Sequence, residues 1–78
     1  MGVMPSVPEL IKKGNELLLE GNFDDALSFF DQALILEPTN PVLWNKKAVT
    51  LRSLGRYDDA LECFNRALEL DPADKKAS

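Results

Sequence analysis

The chain has 78 residues, of which 45% are hydrophobic and 28% charged, and its net charge is −4. A chain of this length forms one small domain at most and buries only ~60–65% of the surface that it exposes when unfolded. The acidic balance excludes a non-specific binder of nucleic acid or of an anionic membrane, because such a protein needs a clustered excess of Lys and Arg.

The first predicted helix begins at a capping box. Ser6 and Glu9 stand three residues apart, so the Ser6 hydroxyl can accept from the Glu9 amide while the Glu9 carboxylate reaches back. Pro8 falls in the first turn, where its missing N–H costs nothing. We expect this helix to run to about Glu20 and to stop at Gly21, because a left-handed C-terminal residue is least strained as glycine.

The second predicted helix opens after Phe23. Asp24 and Asp25 fall in its first turn, where the positive end of the helix dipole favours carboxylates. Apolar residues then recur at helical spacing, and Pro38 bars continuation of the helix. These apolar residues are Ala26, Leu27, Phe30, Ala33 and Leu34.

The third and fourth predicted helices repeat this arrangement. Asn40 followed by Pro41 is a cap with proline at the first helical position. We expect the third helix to span about 41–54 and to end at Gly55, and the fourth to span about 58–70. Loops of a few residues between helices of three to four turns force antiparallel neighbours. The predicted fold class is therefore all-α.

The two halves of the chain carry one pattern at a fixed spacing. Laying residues 7–40 over residues 41–74 gives 13 identities in 34 pairs. A fixed period of this length indicates a repeat architecture. Seven of the identities are Leu17/Leu51, Gly21/Gly55, Ala26/Ala60, Leu27/Leu61, Phe30/Phe64, Ala33/Ala67 and Pro38/Pro72. Together with Trp44 and Ala48, this spacing resembles the tetratricopeptide repeat family.

On this resemblance the chain divides into four parts. Two antiparallel helix-turn-helix repeats span 7–40 and 41–74, a flexible N-terminal segment spans 1–6, and a C-terminal tail spans 75–78. The resemblance implies an α-solenoid fragment of a right-handed superhelix, in which the first helix of each repeat lines a concave groove. Members of the family use that groove to hold peptides. We therefore expect a non-catalytic protein–protein interaction module.

The resemblance also implies which residues would line the concave face. The first repeat contributes Ile11, Lys12, Asn15, Leu18 and Leu19, and the second repeat contributes Val42, Asn45, Lys46, Val49, Arg52 and Ser53.

Charge is distributed unequally between the two kinds of helix. The first helices, 7–20 and 41–54, carry five cations against three acids, whereas the second helices with their exits, 23–40 and 57–74, carry one cation against ten acids. The concave groove would then be mildly basic, and the convex side opposite to it would be acidic. Such a groove attracts an acidic peptide or a free carboxylate. The alternative interpretation is that these are ordinary solvated helix faces.

The fourth helix is expected to carry an uncovered apolar patch made of Leu61, Phe64 and Leu68. Each repeat of such an array buries its apolar face against the next one, and about three repeats are normally needed. Residues 75–78 are too few for another helix, and an exposed apolar patch indicates an interaction site. The chain could self-associate through this patch, belong to a longer array, or tolerate the exposure. Further apolar residues in the groove favour self-association.

Residue types that carry chemistry are scarce. The chain has no histidine and a single cysteine, Cys63, so it lacks the commonest general base and metal ligand and cannot form an internal disulfide. We expect Cys63 to be a small, half-buried apolar residue, and we expect no catalytic residues, no metal and no cofactor. No apolar stretch approaches the ~20 residues of a membrane span. The predicted location is the cytoplasm.

Overall fold

The computed structural model describes residues 5–72, and this part of the chain contains four α-helices and no strand. The helices are α1 (Val7–Glu20), α2 (Phe23–Leu36), α3 (Pro41–Ser53) and α4 (Tyr57–Leu70). The predicted all-α fold is thus confirmed. Most of the predicted flexible segment 1–6 and the whole of the predicted tail 75–78 lie outside the described residues.

The ends of α1 follow the sequence signals. The backbone N–H of Ser6 donates to the Glu9 carboxylate at 2.8 Å, and the Glu9 N–H donates to the Ser6 hydroxyl at 3.4 Å. Gly21 ends the helix with a φ of 82°, and Gly55 has the same φ after α3. These left-handed positions are where the absence of a Cβ matters most.

The second helix of each repeat begins slightly earlier than the sequence predicted. Phe23 and Tyr57 are already helical, and Asn22 and Arg56 precede them as N-caps without a side-chain capping bond. The backbone carbonyls of these two residues accept from N–H groups four residues later, each at 3.0 Å. These starts lack a side-chain cap, so the acidic residues of the first turn indicate them in the sequence only to within a residue or two.

Helix α2 lies between α1 and α3, and α3 packs in turn against α4. The core of the first repeat is centred on Phe30, which is fully buried. A Cβ placed on Gly14 would lie 2.6 Å from the Cε1 atom of Phe30, so the ring occupies the space that glycine leaves open. This close approach brings α1 and α2 together.

Polar contacts fix the second repeat against the first. The indole Nε1–H of Trp44 donates to the Pro38 carbonyl at 2.8 Å. The Lys47 ammonium, on α3, lies 2.8 Å from the Asp31 carboxylate of α2. Both contacts span the junction between the repeats, and they therefore help to hold α3 in its position on α2.

Candidate functional site

A shallow cavity of about 240 Å³ lies between the first helices of the two repeats. Its lining residues are Leu18 from α1 and Val42, Asn45, Lys46 and Val49 from α3. All five belong to the concave set predicted from the sequence. The cavity is therefore where α1 and α3 bring the predicted residues together.

Other predicted concave residues of α1 lie outside this cavity. Ile11 is half-buried and packs against the core of the first repeat. Lys12 is exposed, Asn15 is half-buried, and Leu19 is 91% exposed near the end of the helix. Only Leu18 of the five α1 residues lines the cavity, so α1 contributes less to it than α3 does.

Two predicted residues near the C-terminal end of α3 make contacts of their own. The guanidinium of Arg52 lies 5.8 Å from the centroid of the Phe64 ring on α4, a distance at which cation–π attraction operates. The hydroxyl of Ser53 donates to the Val49 carbonyl within α3 at 3.0 Å. Neither residue lines the cavity between α1 and α3.

The cations of the first helices do not all serve the concave face. Lys47 is paired with Asp31 and lies 5.7 Å from the Trp44 ring centroid. Lys46 lines the cavity and has no ion pair among residues 5–72. The positive charge available in the cavity is therefore that of Lys46.

A second groove, of about 350 Å³, runs between α3 and α4. Val42 and Asn45 line it from α3, and Phe64 and Leu68 line it from α4. These pairs are predicted from the sequence to lie on separate surfaces, one for a peptide and one for self-association. The two surfaces meet because the antiparallel pairing places the start of α3 beside the end of α4. The groove is also lined by Pro41, Ala67 and Asp71, which are not among the residues predicted from the sequence.

The predicted apolar patch of α4 is largely exposed. Leu61 is 59% and Leu68 is 46% exposed, while Phe64 is half-buried. Tyr57, one turn before Leu61, is also exposed and was not included in the prediction. The exposed stripe therefore extends to the start of α4.

Cys63 faces a third cavity, which lies among α2, α3 and α4. The residue is buried, and its thiol is free. Burial raises the pKa of this thiol above its ordinary value, because a charged thiolate is poorly solvated there. Cys63 is thus a buried apolar side chain, more buried than predicted from the sequence, and it is protonated at neutral pH.

No group of His, Cys, Asp and Glu side chains within residues 5–72 is arranged to hold a metal ion. Over the same range, no helix has the length and apolar character that crossing a bilayer requires.

Two antiparallel helix pairs that share one sequence pattern and stack on each other define a helical repeat protein. A sequence model of the tetratricopeptide repeat matches residues 17–78. This match covers most of the chain, which therefore belongs to the tetratricopeptide repeat family. Domains of this family generally mediate protein–protein interactions and are typically non-catalytic.

Proposed function

We propose that this protein binds a peptide segment of a partner protein on its concave face, in the cavity between α1 and α3. The observation that carries the proposal is the combination of apolar walls with one cation that has no ion pair within residues 5–72. Leu18, Val42 and Val49 supply the walls, and Lys46 supplies the charge. A partner side chain that fills the cavity stabilises the complex in proportion to the apolar area that it buries.

The charges favour an acidic partner. No acidic residue lines the cavity, and Lys46 has no carboxylate partner in the described part of the chain. A carboxylate on the bound peptide would meet Lys46 without displacing an existing ion pair. The preferred ligand is therefore a segment in which an apolar side chain stands beside an acidic one.

Asn45 provides the polar contact that an extended peptide requires. Its side chain is exposed, lines the cavity, and makes no hydrogen bond within residues 5–72. An amide side chain offers both donors and an acceptor, which match the N–H and C=O groups of a peptide backbone. Asn45 would thus hold the main chain while Lys46 selects the side chain.

The test uses a fluorescein-labelled decapeptide in which Leu and Glu alternate, titrated against the protein and followed by fluorescence anisotropy. We expect Lys46→Glu to weaken binding about tenfold or more, equivalent to about 1.4 kcal/mol. Lys13→Glu is the matched control, since it makes the same change of charge on an exposed residue outside the cavity. Equal weakening by both variants, or equal affinity for a Leu–Lys decapeptide, would contradict the proposal.

Self-association through the exposed stripe of α4 is a second candidate function. The exposure of Leu61 and Leu68 supports it, because apolar side chains on a surface favour association. Light scattering behind a sizing column, across a hundredfold dilution, measures the mass in solution. A stable multiple of 8.7 kDa that Leu68→Glu reduces to the monomer would support self-association, and a monomer at every concentration would refute it.

We also propose that the protein acts in the cytoplasm. Cys63 is a free thiol, and free thiols are typical of reducing compartments. Fractionation of the source cells tests this proposal, and recovery of the chain from outside the cytoplasm would contradict it.

A further inference from the structure

The cavity that Cys63 faces, among α2, α3 and α4, lies on the opposite side of α3 from the concave cavity. Its volume is about 470 Å³, against about 240 Å³ for the concave cavity. Helix α3 lines it with Trp44, Lys47 and Leu51. Because successive helical residues turn by about 100°, these three residues lie about half a turn away from the α3 residues of the concave cavity. We call this second cavity the convex groove.

The convex groove also lies apart from the exposed stripe of α4. Helix α4 contributes Glu62, Cys63 and Arg66 to the groove. By the same helical geometry, these residues point away from the side of α4 that carries Leu61 and Leu68. A further helix or a second copy that packed on the stripe would leave the groove open. The groove is therefore a surface of its own.

The floor of the convex groove is apolar. Leu51 and Cys63 are buried there, and Leu27 and Trp44 are half-buried. Cavities of a few hundred Å³ that combine an apolar lining with a few polar groups are typical binding sites of small molecules. The volume and the floor therefore fit the apolar body of a small molecule.

The charged side chains around this floor leave one carboxylate without a partner. Each of the three cations that line the groove already forms an ion pair. The pairs are Lys47 with Asp31 at 2.8 Å, Arg56 with Asp59 at 2.9 Å and Arg66 with Glu69 at 3.2 Å. Glu62 lines the groove, is exposed, and makes no ion pair or hydrogen bond within residues 5–72. The charge that the groove offers to a ligand is therefore negative.

The thiol at the floor of the groove is subject to charges of the same sign. Burial is the main cause of the raised pKa of Cys63. Among the charged neighbours, Lys47 lowers this pKa and three carboxylates raise it, those of Asp31, Glu62 and Asp59. Carboxylates raise the pKa of a thiol because they repel the thiolate. Charges that repel an anion at the floor also attract a cation.

We propose that the convex groove binds a small organic cation in which an ammonium group is attached to an apolar body. The apolar body packs on the floor beside Trp44 and Leu27, and the ammonium group meets Glu62. An anion would have to displace one of the three ion pairs, whereas a cation displaces none, so the charges select a cation. This site does not depend on the proposed function, which concerns the opposite side of α3 and an acidic ligand.

The first test titrates 2-phenylethylamine into the ¹⁵N-labelled protein at neutral pH, where the amine is protonated, and follows the N–H chemical shifts. The matched probes are 2-phenylethanol, which keeps the apolar body without the charge, and 3-phenylpropionate, which reverses the charge. The indole N–H of Trp44, the single tryptophan of the chain, reports on the groove directly. We expect the amine to shift this resonance and to bind about threefold more tightly than the alcohol, since an exposed ion pair contributes only modestly.

Two variants of the protein test the role of Glu62. Glu62→Gln removes the charge with little change of shape, so it should weaken binding of the amine about threefold and leave binding of the alcohol unchanged. Asp58→Asn is the matched control, because it removes one charge from an exposed residue of α4 outside the groove. It should leave both affinities unchanged. The Leu–Glu decapeptide should not displace the amine, because its proposed site lies on the opposite side of α3.

The proposal is overturned if the alcohol binds as tightly as the amine, or if 3-phenylpropionate binds more tightly than the amine. It is also overturned if the shifts lie outside the groove, or if Glu62→Gln and Asp58→Asn have equal effects. The rate at which a disulfide reagent labels Cys63 is an independent measurement, since this thiol faces the groove. We expect saturating amine to slow the labelling, and an unchanged rate would contradict the proposal.

Discussion

The two repeats contain the same phenylalanine in different surroundings. Phe30 is fully buried, with its ring in the space left by Gly14. Phe64 is half-buried beside Arg52, and the residue that corresponds to Gly14 is Ala48. Identity at matched positions of the two repeats therefore does not make those positions equivalent, because the burial of each ring depends on the helix that packs over it.

The difference has an energetic consequence. Complete burial of a large apolar side chain stabilises a fold by ~1.5–3 kcal/mol relative to its exposure. Phe30 and Leu34 on α2 are both buried and make this contribution in full. Phe64 and Leu68 on α4 are partly exposed and make only part of it. Phe64 and Leu68 therefore contribute less to the stability of the fold than Phe30 and Leu34 do.

The largest expected effect separates the two phenylalanines. Phe30→Ala should lower the free energy of unfolding by about 3–5 kcal/mol, because it leaves a cavity in the core. Phe64→Ala should cost less than half as much, since its ring is already partly in water. Urea denaturation followed by circular dichroism measures both, and equal losses would contradict the comparison.

Position 14 should not tolerate the methyl group that Ala48 carries at the matching position of the second repeat. Gly14→Ala places a Cβ 2.6 Å from the Phe30 ring and should cost about 1–3 kcal/mol, as overpacking of a core does. Helix propensity alone would stabilise this variant by up to ~1 kcal/mol, so the sign of the change identifies the steric effect. The reverse change in the second repeat, Ala48→Gly, should also destabilise, by ~1 kcal/mol of helix propensity plus ~0.8 kcal/mol for the buried methyl group that it removes.

A smaller difference in stability is expected between substitutions at the start of α3 and at the start of α2. The Asn40 side chain accepts from the Val42 N–H at 2.9 Å, and Asn40→Ala should lower the stability by about 1 kcal/mol. Asn22 makes no side-chain capping bond at the start of α2, so Asn22→Ala should change the stability by a few tenths of that value. Thermal unfolding of both variants is the measurement, and similar costs would show that the capping bond is unimportant.

The smallest expected effect is a dependence of stability on acidic pH that originates at the start of α1. The backbone N–H and the hydroxyl of Ser6 hold the pKa of Glu9 below its ordinary value, whereas the second repeat has Leu43 at this position. The stabilisation is complete above the ordinary pKa of a glutamate and is lost as the pH falls through the lowered value in the folded state. Titration by NMR should show the lowered pKa of Glu9, and Ser6→Ala should raise it part of the way, because the variant removes the hydroxyl and keeps the backbone N–H. An unchanged pKa in that variant would contradict the capping role.

Much of the fold could be predicted because local signals define it. The capping box at Ser6, the glycine stop at Gly21 and the Asn40 cap are all present in the structure. The repeated sequence pattern identified the family, which the match over residues 17–78 confirms. Such signals act over a few residues, or recur at a fixed spacing, and so can be read from the sequence.

The details of the candidate site were less accessible to sequence analysis. A helical position specifies a face, but the direction of a long side chain depends on its neighbours, as when Arg52 lies over Phe64. Likewise, only the packing of α3 on α4 brings Val42 next to Leu68. Both features depend on contacts between residues far apart in the sequence, which no local pattern encodes.

Trp44 is the single tryptophan of the chain, and its indole is bonded to the Pro38 carbonyl at the junction of the two repeats. Its fluorescence therefore reports on this junction without any added label. If the repeats separate before their helices melt, the emission will shift to longer wavelength while the circular dichroism stays constant. Coincidence of the two signals would instead show that the four helices unfold as one cooperative unit.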